Sequence, residues 1–339
     1  MESSPLEVSR RPLLSVVVVN YRSWPDVVAL VGSLADEPEI RSGDCEVVVI
    51  DNGSPEPAPP RLIDAPPVGV RVLLQGANLG FSAGVNAGRR ASSAGWLLVL
   101  NPDVVPDPGL LAGILGRIRE YEARIGRAPG VVGFGLRNPD GSRQPSVGAF
   151  PNLLRTAWEQ LIPRPRRKYQ PEWRLRPGPV DWVTGACLLL NAAMLDDVGG
   201  MDEDFFLYHE EVALCRVALD RGWTVEYDPG VSVVHLRPLQ NRAISPKMRV
   251  ITRHSKLLYF RKHLPRRQFL ALGVIVRLEA EVRAAWCGAR GLAQEARGWR
   301  AIADVSRRLA RGEDLGGPGV LELAEAATGP TDRDDADAT

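Results

Sequence analysis

Apolar and polar positions along the chain fall into blocks whose period switches between that of a strand and that of a helix. Leu13 to Asn20 (LLSVVVVN) is a β-branched run bounded by polar residues, the pattern of a strand buried on both faces. Asp26 to Leu34 follows with helical spacing. Glu46 to Ile50 (EVVVI) predicts a second buried strand, stopped by Asp51-Asn52-Gly53-Ser54. After a proline-rich loop, Val70 to Leu74 predicts a third strand and Gly84 to Ala94 a helix. Trp96 to Leu100 (WLLVL) predicts a fourth strand, ending at Asn101-Pro102-Asp103. Strands alternating with helices predict an α/β fold with a largely parallel sheet.

The pattern loosens beyond a helix expected over Leu110 to Ala123. Pro151 to Pro179, rich in Pro, Arg and Trp, predicts a loop region. Trp182 to Asn191 is strand-like again, Phe205 to Arg221 has helical spacing, and Thr224 to Tyr227 and Val231 to Val234 predict short strands. Ser245 to Arg311 reads as helical, its apolar positions interleaved with arginines.

A length of 339 residues allows one large α/β domain with an appendage, or two domains. With 45% hydrophobic and 24% charged residues, the chain is neither mainly disordered nor collagen-like. A net charge of +1 gives no case for a nucleic-acid partner. The distribution of charge is more informative than its sum. Arg237 to Arg311 holds 18 basic and 4 acidic residues, whereas Glu313 to the end holds 8 acidic and 1 basic. The latter segment is expected to be a disordered acidic tail. The four cysteines lie far apart without a CxxC pair, which excludes the spacing of a zinc site or a dense disulfide frame. The N-terminus lacks the pattern of a signal peptide, and no apolar run reaches the roughly 18 residues of a membrane span. The expected location is cytoplasmic.

Ligands of open parallel sheets bind beyond the carboxyl ends of the strands. Asn20-Tyr21, Asp51-Asn52-Gly53-Ser54 and Asn101-Pro102-Asp103 stand at three such ends. Each cluster is also what a simple turn would use. Together they point to a nucleotide site, with Tyr21 as an aromatic platform, Asp51 as an acceptor carboxylate and Asp103 as a metal carboxylate. Asn78 to Asn86 (NLGFSAGVN) is a glycine-containing turn entering a helix, suited to close backbone approach to an anionic ligand. It has no Walker lysine, and Gly133-Phe134-Gly135 lacks the third glycine of a dinucleotide fingerprint. Asp202 to Glu211 (DEDFFLYHEE) packs five carboxylates around an aromatic patch. Helix N-termini favour carboxylates, so this cluster is open to a purely structural reading as well. His235 closes the strand-like VSVV, where it is either structural or a metal contact.

In order along the chain, VVVVNYRS, VVVIDNGS, NLGFSAGVN, LLVLNPDV, VDWVTGACLLLN, VGGMDEDFFLYHEEVALC and VSVVHL resemble the inverting family 2 glycosyltransferases. The likeness is to the bacterial rhamnosyltransferase-like branch that builds cell-envelope polysaccharides. It spans about residues 13 to 237. It implies a GT-A fold, a Rossmann-like, mixed but mostly parallel sheet flanked by helices, with a C-terminal helical extension. The implied organisation is an N-terminal segment over 1–12, a glycosyltransferase domain over 13–240, a basic helical extension over 241–312 and the acidic tail over 313–339. Within the domain, a nucleotide half runs to about residue 105 and an acceptor half follows from about 106.

The resemblance also implies roles. Tyr21 and Asp51 hold the base, with Asn20, Asn78 and Gly80 bordering the nucleotide pocket. Asp103 matches the metal carboxylate of a DxD-type motif, here Asn-Pro-Asp, and His235 faces the metal and diphosphate. Asn86, Asn101, Trp182, Thr184, Gly185 and Ala186 line the donor-sugar and acceptor region. Glu211, with Glu210 second, is the catalytic base. The implied cofactor is Mg²⁺ or Mn²⁺. The implied partners are a dTDP- or UDP-linked sugar, plausibly rhamnose, and a glycan or polyprenyl-linked acceptor.

Two positions depart from the family. The usual Glu-Asp pair is Glu210-Glu211, one methylene longer at the base, and Leu236-Arg237-Pro238 replaces glycines that commonly follow the histidine. These departures keep open an alternative, a glycosyltransferase-like binding or scaffold protein that has lost turnover. Finally, the basic helical stretch contains an apolar patch, Phe269 to Val276 (FLALGVIV), flanked by Arg266, Arg267 and Arg277. It is open to two readings, a solvated helical face or a peripheral contact with the anionic inner face of the cytoplasmic membrane.

Overall fold

The computed structural model describes residues 11–159, 169–170, 176–238 and 244–329. Its first half is a wound βα series. β1 (Leu14–Asn20), β2 (Cys45–Asp51), β3 (Val70–Leu74) and β4 (Trp96–Leu100) pair in parallel in the order β3-β2-β1-β4. They are joined through α1 (Trp24–Ala35), α2 (Pro38–Arg41), α3 (Pro60–Ile63) and α4 (Phe81–Ala91). Alternate residues of a strand point to opposite faces, so β1 feeds two cores. Leu14, Val16 and Val18 pack in one core with α1 and with α5 (Leu110–Glu122). Val17 and Val19 pack in the other, against α4.

Helix α4 approaches β1 closely because two glycines face the strand. A Cβ at Gly84 or Gly88 would fall 2.6 Å or 2.4 Å from the Val19 and Val17 side chains. The close approach holds Phe81, at the start of α4, over the carboxyl end of β1.

The second half extends the same sheet. β5 (Val104–Pro106), β6 (Val131–Arg137), β11 (Cys187–Asn191) and β12 (Val225–His235) continue it in the order β4-β11-β6-β12-β5. β7 (Arg143–Gln144) pairs with β6 and β9 (Gly178–Pro179) with β12, while β8 (Val147–Gly148) and β10 (Trp182–Val183) form a separate pair. β11 runs antiparallel to both β4 and β6, and β12 runs parallel to β6. The sheet is thus parallel in the first half of the chain and mixed beyond it. The remaining helices are α6 (Leu153–Glu159), α7 (Ala192–Val198), α8 (Glu210–Asp220), α9 (Pro246–His263), α10 (Arg266–Ala289), α11 (Ala293–Ala310) and α12 (Gly316–Thr328). No helix among the described residues is long and apolar enough to cross a membrane. All four cysteines are buried and free.

Several elements differ from the sequence expectation for identifiable reasons. β6 was not expected because Val132, Phe134 and Leu136 alternate with glycines rather than with polar residues; a Cβ at Gly133 would lie 2.4 Å from Val183. Trp182 to Asn191 is two strands separated by the turn at 184–186. Only Glu210–Asp220 of the segment from Phe205 is helical, since Tyr208 and His209 have φ of 67° and 70° and turn the chain just before the helix. The two short strands after Thr224 are one strand with a bulge between Asp228 and Ser232. The loop region after Pro151 contains α6.

The largest correction concerns the acidic C-terminal segment. Residues 316–328 form helix α12, with Val320 and Ala324 fully buried and Glu325 paired with Lys247 of α9 at 2.9 Å. Judged alone, the segment lacks enough apolar surface to order itself; packed on α9 and α11, it gains both a core and a cation. Residues 1–10 and 330–339 lie outside the described residues. Deleting residues 316–339 should cost on the order of 3 kcal/mol and lower the Tm in a thermal melt. An unchanged Tm would make the segment an unstructured tail after all.

Candidate active site

Strand order reverses between β1, which leads outward to β2 and β3, and β4, which leads to the other side. Such a switch point opens a crevice at the strand ends. Asn20 and Asp51 end β1 and β2 in register with each other. The Asn20 side chain is buried and donates from Nδ2 to Asp51 Oδ1 at 2.7 Å and to Ser54 Oγ at 3.2 Å. Its orientation is fixed because Oδ1 accepts the Ser23 N–H at 3.1 Å. Asp51 Oδ2 accepts the Ser54 N–H at 3.1 Å, so both carboxylate oxygens are held.

Asn52 links this edge to the glycine turn. Its Nδ2 donates to Asn78 Oδ1 at 2.9 Å and to the Gly80 carbonyl at 3.0 Å, while its Oδ1 accepts the Leu79 N–H at 3.2 Å. Gly80 has φ of +93°, and a Cβ there would lie 2.5 Å from the Phe206 carbonyl oxygen. Only glycine permits this approach, which lets the Phe81 N–H donate to Phe206 O at 2.9 Å. The loop that leads into α8 is thereby tied to the strand ends.

Between these parts lies a narrow, partly enclosed and mostly apolar pocket. Val19, Tyr21, Asn52, Asn78, Gly80 and Phe81 line one side, and Phe206 and Leu207 another. Lys247, Met248 and Ile251 of α9 and Leu321 of α12 complete it. Tyr21, Asn78 and Gly80 line this pocket, whereas Asp51 and Asn20 stand behind its wall. The lining contributed by α9 and α12 was not anticipated. No local motif marks it, because these residues arrive from distant segments through helix packing.

Asp103 forms a second centre. It is 1% exposed. His235 Nε2 lies 3.3 Å from its Oδ1, and the Arg237 N–H donates to Oδ2 at 3.0 Å. The Arg237 guanidinium lies 3.9 Å from Oδ2 and also pairs with Asp26 of α1. Burial opposes ionisation of Asp103, but the His235 ring 3.3 Å away and the nearby Arg237 charge outweigh it and hold the carboxyl below its usual range. Leu236-Arg237-Pro238 therefore wraps this carboxylate: the Leu236 N–H donates to the Asp103 carbonyl at 3.0 Å.

The turn at 184–186 joins the two centres. Asn101 N–H donates to the Ala186 carbonyl at 3.1 Å, and Thr184 N–H to that of Ser146 at 2.9 Å. Gly185 faces Phe81 across 3.6 Å, measured from the position a Cβ would take. Trp182 is 1% exposed and packs flat on Gly148 and beside Tyr169. It lies in the core and supports the turn from behind. Asn86 is likewise engaged by the protein, donating to the Met201 carbonyl and Glu203 Oε1, both at 2.8 Å, and accepting the Met201 N–H at 2.8 Å.

The acidic cluster divides into two parts. Asp202 and Asp204 pair with Lys262 of α9, and Glu203 meets Asn86. Glu210 and Glu211 instead occupy the first turn of α8, both buried, where the helix dipole favours negative charge. Among the described residues three non-glycines have positive φ: Arg22, Tyr208 and His209. Each follows or precedes a candidate site residue directly or by one position, where stored backbone strain is commonly found.

Residues 15–199, more than half of the chain, match Glycosyl transferase family 2. The chain belongs to glycosyl transferase family 2. An N-acetylglucosaminyl-diphospho-decaprenol L-rhamnosyltransferase of Mycobacterium tuberculosis (strain ATCC 25618 / H37Rv) is 34% identical over 241 residues, covering 66% of this chain and 76% of that protein. The low-salt glycan biosynthesis hexosyltransferase Agl10 of Haloferax volcanii is 24% identical over 277 residues, or 78% and 81% of the two chains. Among solved structures, a mannosyltransferase from Pyrobaculum calidifontis in complex with GDP-Man and Mn²⁺ aligns over 94% of this chain and 74% of its own, with 15% identity and a TM-score of 0.48. GalNAc-T7 with UDP, GalNAc and Mn²⁺ aligns over 67% of this chain and 43% of its own, with 16% identity and a TM-score of 0.49.

For this family 2 chain the Gly80 contact is the most restrictive geometry at the pocket. Gly80→Ala should cost about 1–3 kcal/mol, and in titration calorimetry it should weaken binding of dTDP or UDP at least about tenfold. Wild-type nucleotide affinity in that variant would separate the glycine turn from the pocket's function.

Proposed function

We propose that this chain is an inverting glycosyltransferase. It moves a sugar, rhamnose in the reading favoured by its similarity to the mycobacterial enzyme, from a nucleotide-diphosphate donor to a polyprenyl-linked or polysaccharide acceptor. The observation that carries this is the pairing of an aromatic-lined pocket at the switch point with a buried Asp103 and a separate carboxylate pair on α8. Tyr21 and the apolar pocket walls suit a pyrimidine base, and Asn52 and Asn78 supply fixed polar groups beside it. The dTDP reading draws on the apolar walls from Met248, Ile251 and Leu321.

Asp103 and His235 are the residues that would hold Mg²⁺ or Mn²⁺. Magnesium–oxygen bonds of about 2.0–2.1 Å set neighbouring donors about 3 Å apart, and Nε2 and Oδ1 stand at 3.3 Å. Ligation through Nε2 requires the ring proton on Nδ1 and an acceptor for it. Gln144, 2.9 Å from Nδ1 through its amide nitrogen, has a buried Oε1 without a hydrogen-bond partner among the described residues, and turning the amide supplies that acceptor. No set of three or more His, Cys, Asp or Glu among the described residues is grouped to hold a metal, so oxygens of the donor would complete the shell. When bound, the cation neutralises the leaving diphosphate.

The residues of the chain do the remaining work. Glu211 accepts the acceptor hydroxyl proton as the oxygen attacks the anomeric carbon from the face opposite the nucleotide. Glu210, its neighbour on the first turn of α8, is the second candidate. The turn at 184–186 and Asn101 border the sugar, and the buried Asn20–Asp51 pair keeps the pocket edge fixed without solvent reorganisation. Arg237 on Asp103 is the observation that favours the alternative, a nucleotide-sugar binding protein without turnover.

The test is a nucleotide-sugar panel assayed for hydrolysis and transfer, with and without EDTA. Turnover abolished by EDTA and by Asp103→Ala is expected. Glu211→Gln should retain donor binding yet lower transfer by about 10²-fold or more, with Glu210→Gln milder. Donor binding without any turnover would favour the binding-protein reading, and activity indifferent to both EDTA and Asp103→Ala would remove the metal.

A further inference from the structure

Helix α10 is apolar on both sides. Phe269, Leu272 and Val276 are buried, and Ser306 of α11 donates to the Gly273 carbonyl at 2.8 Å, closing the inner side. The outer side carries Leu270, Val274, Leu278, Val282 and Trp286, one every four residues, with Ile275 beside them. Their exposures run from 39% to 69%. The apolar patch seen in the sequence at Phe269 to Val276 is therefore split between two faces, and its outward half continues another ten residues to Trp286. A helix of 24 residues is about 36 Å long. Helices apolar all round are buried in a core or in lipid, and an exposed apolar band of this length marks a contact surface.

Charge identifies what covers it. The two acidic residues of α10 are neutralised, Glu279 by Arg253 and Arg283 and Glu281 by Arg307. Arg266 and Arg267 at its start, Arg277 at its middle and Arg290 just past its end make no ion pair among the described residues. The Arg290 guanidinium lies 4.1 Å over the Trp286 ring. A second copy of the chain packed on this band would oppose like charges in either direction. Parallel helices would set Arg266 and Arg267 against themselves; antiparallel helices would set them against Arg290, with Arg277 facing its own mate. An anionic lipid surface satisfies all four.

The band also continues toward the acceptor half. The Leu153 N–H of α6 donates to Gln268 Oε1 at 3.1 Å, which brings to the start of α10 a short helix whose Leu154 and Trp158 are 85% and 64% exposed. Just before α6, the Phe150 N–H donates to Asp181 Oδ2 at 2.9 Å, next to β10 and the turn at 184–186. Tryptophan at the edge of an apolar band is favoured at headgroup depth.

We infer that the outer face of α10, together with Leu154 and Trp158, lies in the headgroup–acyl boundary of an anionic bilayer with Arg266, Arg267, Arg277 and Arg290 on its phosphates. This deepens the reading of a lipid-linked acceptor and rests on it, since such docking holds the acceptor half at the surface where a polyprenyl diphosphate sits.

The experiment is flotation of the full chain with vesicles of phosphatidylcholine alone or mixed with phosphatidylglycerol, alongside light scattering and nucleotide-sugar hydrolysis. Binding to the anionic vesicles that falls as salt rises is expected. Leu278→Glu with Val282→Glu should weaken it about tenfold or more, and Arg266→Glu with Arg267→Glu at least about 25-fold. Hydrolysis should be unchanged in both variants. Equal binding to neutral and anionic vesicles, or none to either, overturns the docking. So does a wild-type dimer that Leu278→Glu dissociates, which would assign the band to a second copy. Vesicle binding without hydrolysis by the wild type would leave the docking standing while the transferase reading fails; hydrolysis without vesicle binding does the reverse.

Discussion

Polar side chains buried at the carboxyl ends of parallel strands must find their hydrogen bonds inside the protein, and the architecture around this pocket follows from that demand. A buried amide or carboxylate left unpaired costs about 1–3 kcal/mol or more, and the asparagines at these strand ends recruit neighbours accordingly. Asn20 takes Asp51 and Ser54; Asn52 takes Asn78 and the backbone of Leu79 and Gly80. The Asp103 carboxylate takes the Arg237 N–H just past the end of β12, with His235 Nε2 3.3 Å away. These bonds cross from one strand end to the next, so the groups offered to a ligand are already oriented before it arrives.

Close packing supplies the second constraint. Gly84 and Gly88 let α4 lie on Val19 and Val17, which fixes Phe81 at the mouth of the crevice. Gly80 then allows Phe206 to approach, and the loop from Met201 is locked at its other end by Asn86. Helix α8 begins only after Tyr208 and His209 have turned the chain through positive φ. The start of α8, and with it Glu210 and Glu211, is positioned by the same run of glycines that packs α4 on β1.

These relations explain what could be read from the chain. β1, β2, β3 and β4 were legible because their apolar runs end in polar residues, and the polar ends coincide with the site. Tyr21 follows the end of β1 directly, and Asn78 and Gly80 stand in the turn before α4; all three line the pocket. Trp182 was identified as a lining residue by its motif, yet the structure buries it against Gly148, since a motif preserves position without saying on which side of a turn a side chain lies. β6 was hidden by Gly133, which makes room for Val183, and by Gly135, which makes room for Ser232 and the backbone at Val231. Lys247, Met248, Ile251 and Leu321 were beyond reach, because their place at the pocket depends on tertiary packing of α9 and α12 and leaves no local pattern.

The C-terminal helices also show why charge counted along a chain misleads. The basic run from Arg237 and the acidic run from Glu313 looked like two separate behaviours, a cationic surface and a disordered tail. In the fold each partly answers the other: Lys247 is buried beneath Glu325, and the guanidinium of Arg261 donates to the carbonyls of Gly312 and Glu313. Among the described residues, arginines without an ion pair stand on α11 (Arg297 and Arg300) as well as on α10. Those of α10 differ in bordering an exposed apolar band. That surface lies on the helix whose inner side is already committed to the core, so docking there requires no unfolding of the catalytic domain.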